Sequence, residues 1–295
     1  MVNGLSDRSR VVFDDERVVV NAGILLAVTL ARRLGIEALV DAAVQLGSRP
    51  GAARPGRKVL SLVHAMLLGA DSIDDCGLLR AGQTGVVLGH RAMAPSTLGT
   101  FLRSFTFGHV RQLDRVLGQA LKRAWQAGAG PGKSRLVIDI DSFVGEVHGH
   151  SKQGAGYGYT HKLGYHPLLA TRAGSGEVLH VRLRRGQANT QRGALRFVDE
   201  LLGRVRKAGA AGEILLRADS GFWNKKVIQR LRDQGARYSI GVTMQRIVAD
   251  QIAQIPEKGL AARSRLLRNR DLRARREHAG RRAADRPPRA PARPG

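Results

Sequence analysis

The chain has 295 residues, 43% of them hydrophobic, enough for one large core or two ordinary ones and too much for a disordered chain. Forty-nine Lys and Arg against 24 Asp and Glu leave a formal net charge of +25. Such a field attracts polyanions, nucleic acid above all, although a GC-rich genome that inflates arginine is the plainer reading. A single cysteine, Cys76, excludes an internal disulfide and a thiolate zinc site, and there is no apolar run of the roughly 18 residues a membrane span needs.

The opening MVNGLSDRSR has no apolar segment behind its charges, so no secretory leader is expected and the expected compartment is the cytoplasm. Two β-branched runs at 11–13 and 18–20 frame Asp14-Asp15-Glu16-Arg17 and predict a short hairpin. From residue 22 the apolar period becomes helical. It predicts helices over 22–35, 36–46 and 58–69, and a longer helical stretch over 96–126 with a break near Gly108. The AGAGPGK stretch at 127–133 is a linker by composition.

Beyond it the pattern predicts strands over 135–141, 165–172 and 177–185, a helix over 190–208, a strand over 213–218, a helix over 224–234 and a strand over 237–242. A mixed sheet with helices on both faces suits that order. Residues 261–295 hold 12 arginines and no Val, Ile, Phe, Trp or Tyr, too little apolar surface to offset ordering entropy, and are expected to be disordered. Three regions are therefore expected: a mostly helical 1–130, an α/β region 131–259 and a tail 260–295.

Two carboxylates, Asp139 and Asp141, stand in VIDIDSF at the end of the first strand of that sheet. Positions two apart on a strand share a face, so the two acids point the same way while Ile138 and Ile140 point into the core. Neighbouring carboxylates repel, and a hard divalent cation relieves the repulsion; a turn cap at Ser142 is the plainer use of one of them. Asp219 in LLRADSGF stands past the end of another apolar strand, where open α/β sheets bind ligands. Its plainer use is to cap the helix near Asn224. For the acids to meet, the strands over 135–141 and 213–218 must be neighbours.

The segment KQGAGYGYTHKLGY supplies Lys152, Tyr157, Tyr159, His161 and Lys162 among glycines, a mixture of donors and stacking faces suited to nucleic acid, or else an ordinary polar hairpin. Arg184, Arg185 and Arg192 form a second basic stretch at a strand-to-helix junction. His148, His150, His161, His166 and His180 lie on separate segments without zinc-site spacing. Cys76, close to Asp74 and Asp75, reads as a packed thiol of raised pKa rather than a nucleophile.

Taken together, DIDSF, the run from Lys152 to Leu202 and LRADSGFW resemble the DDE-domain transposases of a bacterial insertion-sequence family, as do the FDD hairpin and STLGTFLRSF. The resemblance covers about 11–259. It implies a ribonuclease H-like core, Asp141 and Asp219 as the first two catalytic acids, Asp139 as an auxiliary metal neighbour, and Mg2+ or Mn2+ as cofactor. It implies metal-dependent cleavage at terminal inverted repeats and strand transfer into target DNA, with a homodimer on the paired ends and no membrane partner.

The family's third acid is a glutamate on a helix well beyond the last strand. Family-like sequence fades after Ile255-Pro256-Glu257-Lys258, and the Arg-rich remainder reads like out-of-frame translation. Neither Glu257 nor Glu277 suits the role, so a truncated or frameshifted, catalytically incomplete copy is expected. The alternatives are a non-catalytic DNA-binding protein that inhibits transposition and a metal-dependent nuclease of another kind.

Overall fold

A computed structural model describes residues 19–149 and 152–255 of the chain. The predicted hairpin over 11–20, His150, Glu257, Glu277 and the tail lie wholly or mostly outside these residues. The chain divides into two compact units, Met1–Gly241 and Val242–Gly295.

The first unit opens with helices α1 (Ile24–Arg33), α2 (Ile36–Ala43), α3 (Pro55–Leu67), α4 (Thr84–Leu88), α5 (Pro95–Arg103) and α6 (Phe107–Ala124). Gly35, at φ +61°, lets α1 turn straight into α2, a backbone conformation other residues rarely adopt. Pro55 and Pro95 open their helices where a missing N–H costs nothing. The break between α5 and α6 falls at Thr106 rather than Gly108, because the Thr106 N–H donates to His109 Nδ1 at 3.0 Å and closes a first turn. These helices bury Ile24, Val28, Ala65, Cys76 and Leu98 in one cluster and Val40, Val44, Phe101 and Val116 in another. Cys76 is 3% exposed; burial pushes its thiol pKa up, and Asp75 and Asp74 add to the effect.

The α/β part follows: β1 (Leu136–Ser142), β2 (Gly145–Glu146), β3 (Gly156–Tyr157), β4 (Leu163–Tyr165), β5 (Leu168–Arg172), β6 (Val178–Arg182), α7 (Ala194–Ala208), β7 (Ile214–Ala218), α8 (Lys225–Asp233) and β8 (Arg237–Ile240). The main sheet has the order β6-β5-β1-β7-β8 and a small sheet the order β2-β4-β3. β1 runs antiparallel to β5 and parallel to β7, and β7 runs parallel to β8. The fold is thus a mixed five-stranded sheet flanked by helices and preceded by a helical region, as the pattern implied.

Even-numbered residues of β1 and β7 (Leu136, Ile138, Ile140, Ile214, Leu216) join Phe197, Val198, Leu201 and Val205 of α7 in one core, each large side chain worth about 1.5–3 kcal/mol. Odd-numbered residues of the same strands, from Val137 to Asp141 and from Leu215 to Arg217, are half-buried or exposed. The strand expected over 165–172 is split in two, because Pro167 has no N–H for the ladder and His166 turns into the interior.

A buried ionic network ties α6 to the sheet and α7. Arg204 donates to Asp114 Oδ1 at 2.7 Å, His180 lies 3.5 Å from Asp114 and 3.2 Å from Glu200, and Glu200 also receives Arg111, Arg182 and Arg196. Burial pushes the Asp114 carboxyl up, but hydrogen bonds from His180 and Arg204 outweigh it and hold the group far below the usual carboxylate range.

In the second unit the described residues form one helix, α9 (Arg246–Ala253), with no buried residue.

Candidate functional site

The parallel pairing of β1 with β7 sets Asp139 opposite Arg217 and Ile140 opposite Ala218. Asp141 and Asp219 follow one residue later on both strands, at the carboxyl ends of adjacent strands about 4.8 Å apart. Both acids are exposed. Asp141 Oδ1 accepts the Ser142 N–H at 2.7 Å, and Asp219 Oδ1 accepts the Gly221 N–H at 3.0 Å. Asp219 therefore caps the short 3-10 turn Ser220–Phe222, while Asn224 caps α8 through the Lys226 N–H at 2.9 Å. Asp141 thus has its plainer use at Ser142, whereas the cap of α8 falls to Asn224 and Asp219 caps only the short turn before it; each acid uses one oxygen in this way.

Asp139 is placed differently. Both its oxygens receive Arg217, Nε at 2.6 Å and Nη2 at 2.7 Å, in a two-pronged ion pair. The carboxylate expected to be an auxiliary metal neighbour is bound to a guanidinium.

Behind Asp141 lies a polar lock. His166 is 2% exposed and sits between Ala188 and Ser142. The Ala188 carbonyl only accepts, so the ring proton is on Nδ1, and the Ser142 hydroxyl donates to Nε2 at 3.1 Å. Thr190 Oγ1 lies 3.4 Å from the same hydroxyl and its methyl packs on Gly221, beneath the turn capped by Asp219. Arg184 closes the lock: Nε donates to the His166 carbonyl at 2.7 Å and Nη1 to the carbonyls of Asn189 at 2.7 Å and Arg192 at 2.9 Å. Arg184, expected to contact nucleic acid, is committed to backbone carbonyls instead, because half-burial leaves its charge needing internal acceptors.

The glycine-rich segment forms the small sheet and a loop beside this lock. Lys152, Tyr157, Tyr159, His161, Arg185 and Arg192 are exposed, and the Tyr159 ring stands 5.8 Å from that of His166. Lys162 is exposed but donates to Glu146 at 2.8 Å. The glycines here have a packing reason. A Cβ on Gly186 would collide with the carbonyls of Gly156 and Gly164, and one on Gly158 would stand 2.6 Å from the Gly186 carbonyl. Three backbone segments pack there without room for side chains.

A family model described as transposase DDE domain group 1 matches residues 4–281. The chain belongs to this family of DDE transposases. The match runs past Gly259 into the Arg-rich stretch, so family sequence extends further than the motifs alone suggested. No curated protein matches the chain.

Among solved structures, the piggyBac transposase synaptic complex with hairpin DNA is similar with a TM-score of 0.43 and 16% identity over 82% of this chain and 53% of that one. The Mos1 transposase paired-end complex with the left transposon end gives 0.23 and 11% over 61% and 57%. The Mos1 strand transfer complex gives 0.23 and 11% over 61% and 56%. The DDE chain thus spans about half the length of these structures.

DDE transposases work with a divalent metal ion. No group of three or more His, Cys, Asp or Glu that could hold a metal occurs among the described residues. Two free carboxylate oxygens on adjacent strand ends do suit Mg2+, which binds through one or two carboxylates and leaves its other positions to water and phosphate. Sequence reading missed Arg217 as the partner of Asp139, although alternation puts it two residues before Asp219 on the same face. It also missed the joint lock of His166, Ser142 and Thr190, which no local pattern announces. Among the described residues no helix is long and apolar enough to cross a membrane.

Proposed function

We propose that the protein is the transposase of a bacterial insertion sequence that acts in the cytoplasm, binds the element's terminal inverted repeats as a pair of copies, and presents their phosphodiesters to a divalent ion held by Asp141 and Asp219. The observation that carries this reading is the position of the two acids, one residue past the last paired residues of adjacent parallel strands, in a chain of the DDE family. When bound, the ion would activate the attacking oxygen and stabilise the leaving one, at terminal cleavage and again at strand transfer into target DNA. Asp141 and Asp219 would orient it, and the Ser142–His166–Thr190 lock would hold their backbone in register. Lys152, Tyr157, Tyr159, His161, Arg185 and Arg192 offer cations and rings to the DNA backbone and to unstacked bases.

The described residues supply two site carboxylates. Two-metal cleavage needs both ions fixed on the scissile phosphate, and misplacement by about 1 Å costs on the order of a hundredfold. The 295-residue chain is therefore proposed to bind element ends without cutting them, which would also make it an inhibitor of transposition. Labelled duplexes carrying the ends of the encoding element, incubated with the chain and Mg2+ or Mn2+, test this. Retention of the ends without nicking supports the proposal. Nicking that Asp141→Ala abolishes would refute the inactivity and keep the site, while absence of any preference for the ends would refute the transposase reading.

A further inference from the structure

Four charged residues stand together at the carboxyl ends of β1 and β7. Asp139 and Asp141 alternate along β1, Arg217 lies on β7 with Asp219 just past its end, and the register sets Asp139 against Arg217 and Ile140 against Ala218, the residues that precede Asp141 and Asp219. The first pair is closed on itself: both oxygens of Asp139 are held, at 2.6 and 2.7 Å, by Nε and Nη2 of Arg217. The second pair is open, with one oxygen of each acid on a local backbone N–H. Three carboxylates and one guanidinium leave a local charge of −2, the complement of a single divalent cation.

We propose that Arg217 is a positioning residue of the cation site, which holds Asp139 out of the ligand set and sets the local charge so that Asp141 and Asp219 alone face one divalent ion. This rests on the reading of Asp141 and Asp219 as cation ligands. The geometry of the pair explains why an arginine stands there. A guanidinium fork fills both oxygens of a carboxylate at once, which a lysine ammonium does not, and it cannot lose its proton. Without Arg217 the third carboxylate would be free, and the site would carry a charge of −3. Without Asp139 the guanidinium would stand unpaired beside the cation and repel it. Asp139 then acts on the ion through Arg217 and not as its ligand.

Mn2+ binding to the full chain, read from the electron paramagnetic resonance of free Mn2+, separates these roles without any need for DNA cleavage. The side chains of Arg217 and Asp139 are 50% and 40% exposed, so substitutions there leave the fold intact, which circular dichroism checks. Arg217→Gln should tighten Mn2+ binding about three- to tenfold, the size expected for removing one unit charge about 6 Å from a divalent ion in water. Asp139→Asn should weaken it by a similar factor. The double variant restores the charge of −2 and should return to within about twofold of the original chain. A double variant that stays as weak as Asp139→Asn would overturn the proposal by making Asp139 a ligand, and so would an Arg217→Gln variant that binds as the original does. If Asp141→Asn leaves Mn2+ binding unchanged, the reading of the site itself fails, whatever Arg217 does. If the original chain binds too weakly to detect, binding that appears in Arg217→Gln and disappears in Arg217→Gln/Asp141→Asn upholds the proposal, and its failure to appear overturns it.

Discussion

Asp114→Asn should loosen the joint between α6 and the sheet, and the size of the effect follows from its contacts. Asp114 is 13% exposed and Arg204 12%, so the pair lies away from bulk water. Breaking a buried ion pair by removing one partner costs about 3–5 kcal/mol. Two features reduce that here: Arg204 keeps the Asp114 backbone carbonyl at 3.2 Å, and the asparagine oxygen still accepts a hydrogen bond. The expected loss is about 2–3 kcal/mol at pH 7, or roughly 5–10 °C in Tm for a unit of this size.

The pH dependence gives the effect a signature. Asp114 in the fold is held far below its ordinary range by His180 and Arg204 against the upward push of burial, so the unfolded chain takes up a proton that the folded chain refuses. The stability from this carboxylate is fully present above the unfolded value of about 4 and is lost as pH falls below it. Asparagine does not titrate there. Urea unfolding of both proteins between pH 7 and pH 3 should therefore show a gap that is full at neutral pH and narrows as pH falls from about 4 to 3. A gap under about 0.5 kcal/mol at pH 7, or one that persists unchanged to pH 3, would refute the reasoning.

Gly186→Ala should cost more than about 2 kcal/mol and melt the small sheet, since its methyl meets two backbone carbonyls and no flexible side chain can yield; thermal unfolding and the fluorescence of Tyr157 and Tyr159 report it. Ser142→Ala removes one hydroxyl from the His166 lock and should cost about 1 kcal/mol, or about 2–4 °C in Tm, whereas His166→Ala empties a buried polar site and should cost several times that, measured by urea unfolding. Deleting 261–295 removes 12 arginines and the acids Asp271, Glu277 and Asp285, a net +9. The log–log salt slope of non-specific DNA binding should become shallower by about 0.9 per lost phosphate contact, and an unchanged slope would mean that these residues do not touch DNA.

Most of the sheet was legible because its strands obey a strict period of two: Leu136, Ile138 and Ile140 on one side, Asp139 and Asp141 on the other. The neighbourhood of β1 and β7 was legible only as a condition, since register is a tertiary fact that no single strand encodes. Pro167 could have split the predicted strand over 165–172, as its missing N–H in fact does. The small sheet escaped notice because strands of two or three residues carry no period, and the close packing of its glycines against Gly186 is a tertiary fact. For Arg184 composition shows only a charge, and only the fold shows that its Nε and Nη1 are bound to backbone carbonyls.

The central claim, that Asp141 and Asp219 hold a divalent cation at the sheet edge, is tested most directly by anomalous scattering from crystals grown with Mn2+. The expected result is one peak between the two acids, within about 2.0–2.3 Å of an oxygen of each, with Asp139 still on Arg217. A peak bound by Asp139, or none at the ends of β1 and β7 in crystals that bind Mn2+ elsewhere, would contradict it.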